Sequence, residues 1–402
     1  MTLPWMVRKS LRQHLLSTVI TACSISLAGG LLMAVWVVKE QSQRAFTGVN
    51  AGFDAVLGAR GSKLQLVLNT IFHLEESPGN IQPEDFEAIR AQPAVKVAIP
   101  VALGDNFRGY RIVGTTTNLF GDVEYEAGRH FEMATGRVFD ASRREAVVGS
   151  FVAERLGWRV GATFQPYHGL RFNPEDQHEE RYTVVGVMKP SNTPVDRVIW
   201  IPLKGVQLMA GHDPKTATDL SGVLLKFKDT SPLTARQLDL LYNKQGNRLT
   251  FAWPIAQIVA QLFQKIAWMD RVLVLVAYLV ALVATGSVLV SIYNSMKERR
   301  RDIAILRALG ARRRTIFSAI VLEAAAIAAI GMVFAFAVHA AILTGVAAVV
   351  RSETGVVLNP FALHAVMLWA PLGMIGLASL AGLVPAWKAY RTPVAENLAP
   401  VS

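Results

Sequence analysis

Cysteine is nearly absent from the 402-residue sequence, Cys23 being the one thiol. No intramolecular disulfide can form, so any exported part folds without one. Cys23 itself lies inside an apolar run and reads as a small packing residue. Also missing is any G-x-x-x-x-G-K-S/T segment, which excludes nucleotide phosphates cradled in the P-loop manner. The Gly-rich GARGSK (Gly58–Lys63) lacks that spacing and reads as a turn. There is no G-x-S-x-G nucleophile elbow and no repeat of solenoid period. Charged residues make up only 18% against 52% hydrophobic, and the mean hydropathy of +0.33 is high for a soluble protein of this length. A net charge of +11 would suggest nucleic acid if it were spread evenly. Here the basic clusters sit beside apolar runs, which points to a membrane surface and no nucleic-acid partner.

Four runs reach the roughly 20 apolar residues that a transmembrane helix requires. They cover residues 15–38, 271–294, 316–350 and 363–387, and the third is long enough to tilt or to project beyond a bilayer. The first has a basic flank, Arg8, Lys9 and Arg12, as a signal peptide would. Its apolar stretch exceeds the roughly 7–15 residues of such a segment, and no A-x-A-type site precedes a polar start, so it reads as an uncleaved anchor. Lys297, Arg299, Arg300, Arg301, Arg307 and Arg312 to Arg314 crowd residues 295–315; Lys388 and Arg391 lie in 388–402; the short loop 351–362 has only Arg351. The positive-inside rule then makes both termini and 295–315 cytosolic and 39–270 external. Leu3, Met6, Val7 and Leu11 recur at helical spacing within residues 1–14. That tail reads either as a short helix in the interface or as an ordinary basic flank.

The external segment mixes strand and helix signals, which predicts a large α+β domain between the first two of four transmembrane helices. β-Rich runs are Arg143–Ser150, Tyr182–Met188, Val198–Leu203 and Gly222–Lys228. Helical patterns are Pro83–Gln92, Phe151–Gly157 and Ser231–Gln245, with Ser231-Pro232 as N-cap and first helical residue. Gly48–Gly61 reads as a stalk leaving the membrane and the amphipathic Ile255–Met269 as a stalk returning. In HGLRFNPEDQHEER (His168–Arg181), HEER begins like a zincin motif, but Tyr182 stands where the second histidine is needed. The loop reads as solvated, and no metal ligand or catalytic residue is expected. Within the bilayer, Glu323 and His339 carry the polar exceptions; each reads as a satisfied structural group or as a contact that changes when helices move. Ala319, Ala324 to Ala326, Ala328, Ala329 and Gly331 give span three a small-residue face for close helix approach. No broken helices with paired charges mark a transport site at mid-membrane.

The segment SMKERRRDIAILRALGARRRTIF (Ser295–Phe317) has two basic clusters around an apolar centre. On a helical wheel Ala304, Ile305, Leu306, Ala308 and Leu309 cover more than half the circumference, with Arg307 on a narrow polar strip. A free cytosolic helix would not carry so wide an apolar surface, so it should be held at the interface or in a partner's groove. Gly310 is placed to end it.

These residues resemble the signature of the FtsX/MacB-type permeases of the ABC superfamily, close to E-R-x-x-E-I-x-I/V-x-K/R-A-L/I-G-A. Glu298, Arg299, Ile303, Ile305, Arg307, Ala308, Leu309, Gly310 and Ala311 fit, and Asp302 stands where the family has Glu. PAWKAYRTPVAENL is similar to the family's C-terminal pattern through Pro385, Ala386, Arg391, Pro393, Glu396 and Leu398. REAVVGSFVAERLGWRVGATF and YTVVGVMKPSNTPVDRVIWIPL resemble its periplasmic core domain. The resemblance implies a non-catalytic permease subunit in a bacterial inner membrane. It implies a homodimer, or a pair with a related permease, on separate ATPase subunits that bind the ATP and magnesium. Glu298 to Ala311, with Arg300 and Leu306, would be the coupling helix seated in that ATPase. Motion passed to the exported domain would serve export or extraction of a substrate, with a periplasmic adaptor or lipoprotein as further partner. The alternative is a regulator that activates a periplasmic enzyme.

Overall fold

The computed structural model describes residues 3–48, 51–169, 172–209, 217–229, 232–298 and 300–391. Arg299, Ser231, Pro393, Glu396 and Leu398 lie outside the described residues, as do the side chains of Glu298, Arg300 and Asp302. The helices are α1 (Leu3–Gln13), α2 (Leu15–Gly48), α3 (Lys63–Thr70), α4 (Pro83–Arg90), α5 (Asn118–Gly121), α6 (Ser150–Leu156), α7 (Leu203–Gln207), α8 (Pro232–Asp239), α9 (Ile255–Glu298), α10 (Arg300–Ala308), α11 (Arg313–Thr354) and α12 (Val366–Arg391). The strands are β1 (Ala55–Ala59), β2 (Val95–Phe107), β3 (Tyr110–Thr115), β4 (Glu124–Glu126), β5 (Arg129–His130), β6 (Met133–Gly136), β7 (Glu145–Val148), β8 (Thr163–Phe164), β9 (Tyr167–His168), β10 (Tyr182–Met188), β11 (Ile199–Pro202), β12 (Gly222–Phe227) and β13 (Leu249–Ala252). Two compact units emerge: residues Met1–Gln41, Ile266–Ala348 and Asn359–Ser402 form one, and Ser42–Lys265 with Val349–Leu358 the other.

The first unit is a helical bundle, and α2, α9, α11 and α12 are each long and apolar enough to cross a membrane. Their inward faces follow helical spacing: Ala277, Ala281, Ala284, Val288 and Ile292 on α9, and Val366, Ala370, Met374 and Ala378 on α12. Small residues set the closest approach. A Cβ added to Gly331 of α11 would sit 2.8 Å from the Ala22 carbonyl oxygen of α2, and one on Gly382 of α12 would sit 2.9 Å from Ala324 Cβ. Lipid gives helices no hydrophobic reason to associate, so such backbone proximity supplies much of the packing energy. Ala324, Ala328 and Gly331 of the small-residue face are indeed buried. Cys23 is exposed instead of packed, because its neighbours Ala22 and Ile25 take the inward positions of α2.

The second unit is built on an eleven-stranded mixed sheet in the order β13-β1-β12-β2-β3-β11-β7-β10-β6, with β8 against β10 and β9 against β2. Its strands are apolar on both faces. Val56, Val113, Val147, Trp200 and Leu224 point into one core, together with Phe72 and with Ile255, Ile258 and Val259 from the start of α9. Their neighbours Leu57, Val223 and Leu225, and Ile112, Val148, Ile199 and Ile201, fill two cores on the opposite face. The period of two within continuous apolar runs is what a strand covered on both sides requires. The four strands and three helices read from the sequence are present within a few residues of their expected ends, the third helix closing with a π-helical stretch at Leu240–Gln245. Gly48–Gly61 corrects an expectation. It is no stalk: α2 stops at Gly48, and Ala55–Ala59 is a wholly buried strand between β12 and β13. Residues 349–358 also belong to this unit: Val356 is fully buried in the first core, and Arg351 reaches Glu154 at 3.3 Å and lies over the Phe151 ring.

Candidate functional site

Between α9 and α11 the chain makes one short helix, α10, whose two sides differ. Ala304 is 4% exposed, and Ile303 packs on the bundle core. Ile305 is 41% exposed and borders the cavity against α1, whereas Leu309 is 80% exposed. The inner side thus seats the helix, and the outer side leaves Leu309 in the open. The termination is a Schellman motif: Ala311 N–H donates to the Leu306 carbonyl at 3.0 Å and Gly310 N–H to the Arg307 carbonyl at 3.1 Å. Gly310 takes φ +96°, a left-handed conformation that costs glycine nothing. The turn it makes lets α11 start at Arg313 and leaves Leu309 at the tip. Arg312, Arg313 and Arg314 follow that tip and are exposed, as is Arg301 at the start of α10, so basic residues flank the uncovered leucine in the chain.

The inner side closes on the N-terminal helix. α1 buries Val7 and Ser10, and the Ser10 hydroxyl donates to the Glu323 carboxylate of α11. A cavity of about 290 Å³ lies between Trp5, Met6 and Ser10 of α1, Ile303 and Leu306 of α10, and Glu323. Glu323 is therefore a hydrogen-bonded tie between α1 and α11, 8% exposed. His339 is buried deeper in α11, and among the described residues neither ring nitrogen has a hydrogen-bond partner. It stands apart from the α10 cluster.

Cations and aromatic rings gather at the same end of the bundle. Lys388 of α12 donates to the Tyr293 hydroxyl of α9 at 2.6 Å, Arg391 lies over Trp387, and Arg313 lies over Tyr390. Amphipathic rings and snorkelling cations are what a helix end at a membrane surface selects. The opposite end has a different bond set: Glu40 meets His364 at 3.1 Å, and Gln41 exchanges hydrogen bonds with the Asn359 backbone at 2.8 and 2.9 Å.

Of the residues read from the sequence, Ile303, Ile305, Leu306, Arg307, Leu309, Gly310 and Ala311 fall on α10 or its cap. The backbones of Glu298, Arg300 and Asp302 fall at the α9 end and on α10. Glu323 borders this cluster and His339 does not. Sequence reasoning missed Ser10, which no pattern of hydrophobicity distinguishes from other hydroxyls of α1 and α2. It also missed that His168 and His178 come together at Asp105 of β2.

The comparisons with known proteins agree along most of the chain. A family model described as MacB-like periplasmic core domain matches residues 18–238, and one described as FtsX-like permease C-terminal matches residues 274–394. The chain is 25% identical over 357 residues to the pyoverdine export ATP-binding/permease protein PvdT of Pseudomonas syringae pv. tomato, covering 80% of this chain and 53% of that protein. To the macrolide export ATP-binding/permease protein MacB of Neisseria meningitidis serogroup A it is 24% identical over 270 residues, covering 64% of this chain and 40% of that one. The chain thus spans about half the length of the curated relatives it matches, or less. Among solved structures, the periplasmic region of MacB from Actinobacillus actinomycetemcomitans aligns at 12% identity and a TM-score of 0.35, covering 54% of this chain and 94% of that one. The extracellular domain of YknZ from Gram-positive bacteria aligns at 15% identity and a TM-score of 0.30, covering 49% and 97%.

Proposed function

This chain belongs to the FtsX/MacB-type permeases of the ABC transporter superfamily, multi-pass bacterial membrane proteins, and from that premise we propose that it transmits force and conducts no solute. A separate ABC ATPase binds ATP and magnesium, grips α10, and moves it on each cycle. The observation that carries this reading is Leu309, 80% exposed at the tip of a helix whose other side is seated. A groove in the ATPase covers it, and the neighbouring arginines meet acidic partner residues or lipid phosphates. By the positive-inside rule α10 and both termini face the cytosol across the inner membrane, and the sheet unit is periplasmic.

The elements suited to carry the stroke are continuous helices. α9 has 44 residues and α11 has 42. At about 1.5 Å per residue each exceeds 60 Å, roughly twice the thickness of the hydrocarbon core. Residues 255–265 of α9 and 349–354 of α11 are counted in the sheet unit, the rest of each helix in the bundle. A displacement at α10 therefore has unbroken backbone along which to travel. No step requires a polar path at mid-membrane, in keeping with the apolar spans. Reshaping of the exported domain then drives export or extraction of a cargo, with an adaptor or lipoprotein docked on it. The outward apolar rows of α9 and α12, such as Leu275, Leu282, Leu372 and Leu383, face lipid or a second permease copy in a dimer.

The test is purification of the full-length chain from crosslinked native membranes. Recovery of an ABC ATPase whose hydrolysis depends on this chain supports the reading. Recovery of the permease with no ATP hydrolase overturns it.

A further inference from the structure

His168 of β9 is paired in register with Asp105 of β2. The His178 amide donates to the Pro166 carbonyl at 2.9 Å, and Tyr167 bridges to Gln177, so the chain around 166–178 folds back on itself. Both imidazoles are thereby brought to one carboxylate oxygen. His178 Nε2 is 3.2 Å and His168 Nδ1 is 3.4 Å from Asp105 Oδ1, and the donor atoms of the three residues all lie within 4.8 Å of one another. Asp105 is fully buried and His178 nearly so, while His168 is exposed.

His178 Nε2 is within hydrogen-bonding distance of Asp105, and both contacts are longer than the about 2.7–2.9 Å of a charge-assisted hydrogen bond. Tetrahedral coordination with bonds of about 2.0–2.2 Å holds its ligand atoms roughly 3.3–3.6 Å apart, close to the two histidine–aspartate separations. We propose that Asp105, His168 and His178 are three protein ligands of a divalent transition-metal ion of the zinc type. Two imidazoles beside one carboxylate suit zinc, cobalt or nickel, whereas calcium and magnesium take oxygen. Arg111, close enough to feel the charge of Asp105, donates to the His73 and Glu75 carbonyls. Binding would staple the β9 segment and the loop before β10 onto β2, tightening the exported sheet unit. This site is independent of the ATPase contact.

The experiment uses full-length protein in detergent with an affinity tag free of histidine, titrated with Co²⁺ and then Zn²⁺. We expect one Co²⁺ per chain with the intense visible bands of tetrahedral cobalt, displaced by equimolar Zn²⁺. His168→Ala removes an exposed ring and should leave the metal-free melting temperature unchanged while weakening Zn²⁺ binding at least tenfold. Asp105→Asn should weaken it similarly. Weak octahedral bands only, or equal Zn²⁺ affinity in the wild type and His168→Ala, would overturn the assignment.

Discussion

Replacing Leu309 by Asp places a charge at the tip of α10. In the chain alone this side chain is 80% exposed, so the substitution should alter folding stability by no more than about 0.5 kcal/mol. In a complex the same side chain would be enclosed. Burying one leucine contributes about 1.5–3 kcal/mol, and enclosing an unpaired carboxylate costs a further few kcal/mol. The sum is at least about 4 kcal/mol, which at about 1.4 kcal/mol per tenfold is near a thousandfold in affinity. Leu309→Ala forfeits only the burial, so a ten- to thirtyfold loss is expected. The assay is retention of the ATPase on tagged permease across a dilution series, with circular dichroism and melting temperature recorded on the permease alone. A variant that melts as the wild type does but sheds the ATPase fits the argument. Leu309→Asp that keeps wild-type ATPase affinity would refute it, since no groove could then enclose that position.

Further expectations concern the cap, the bundle and the exported unit. Gly310→Val must hold φ +96°, at a cost of about 1–2 kcal/mol, so ATPase affinity should drop roughly tenfold; unchanged affinity would show that the turn does not set the helix. Gly331→Val drives a Cβ onto the Ala22 carbonyl, and should cost about 1–3 kcal/mol by overpacking, read as a lower melting temperature in detergent. Burial, then the charge of Arg111, holds His73 at about 3, below its ordinary 6.5. The stability this confers is complete above pH 6.5 and erodes as pH falls towards 3, with a loss of about 2 kcal/mol at pH 5. Denaturant titrations of the exported unit's tryptophan fluorescence at pH 7 and 5 measure it, and His73→Phe should flatten the slope. Val356→Asp puts a carboxylate into a fully buried position; enclosed without a partner it should cost at least about 3 kcal/mol, seen as faster proteolysis around residues 349–358.

The bundle was legible because lipid imposes a strong rule on composition: apolar runs of sufficient length stand out, and arginines mark one end. The α10 cap was legible too, since Gly310 follows an apolar helix and only a left-handed residue fits there. The exported sheet was read in part. Val184 and its neighbours in β10, and Ile199 to Ile201 in β11, announce themselves as β-rich runs. β2 did not, because Pro100, Gly104 and Asp105 interrupt its pattern. Its turn into β3 depends on Arg108 and Gly109, both at positive φ. β1 was read as part of a stalk because its partners, β12 and β13, come from the far end of the exported segment. The Asp105 cluster was hidden for the same reason: a local reading of His168–Arg181 sees the two histidines and not the strand beneath them. Ser10 was found only when α1 was placed against Glu323.

The most direct measurement of force transmission begins at the tip of α10. With Cys23 replaced by serine, Leu309→Cys becomes the only thiol and can be challenged with a membrane-impermeant maleimide in intact cells and in inside-out vesicles. We predict labelling from the cytosolic face alone, blocked when the ATPase is bound and returning in step with its ATP cycle. Labelling from outside intact cells, or reactivity indifferent to both ATPase and nucleotide, would contradict the account.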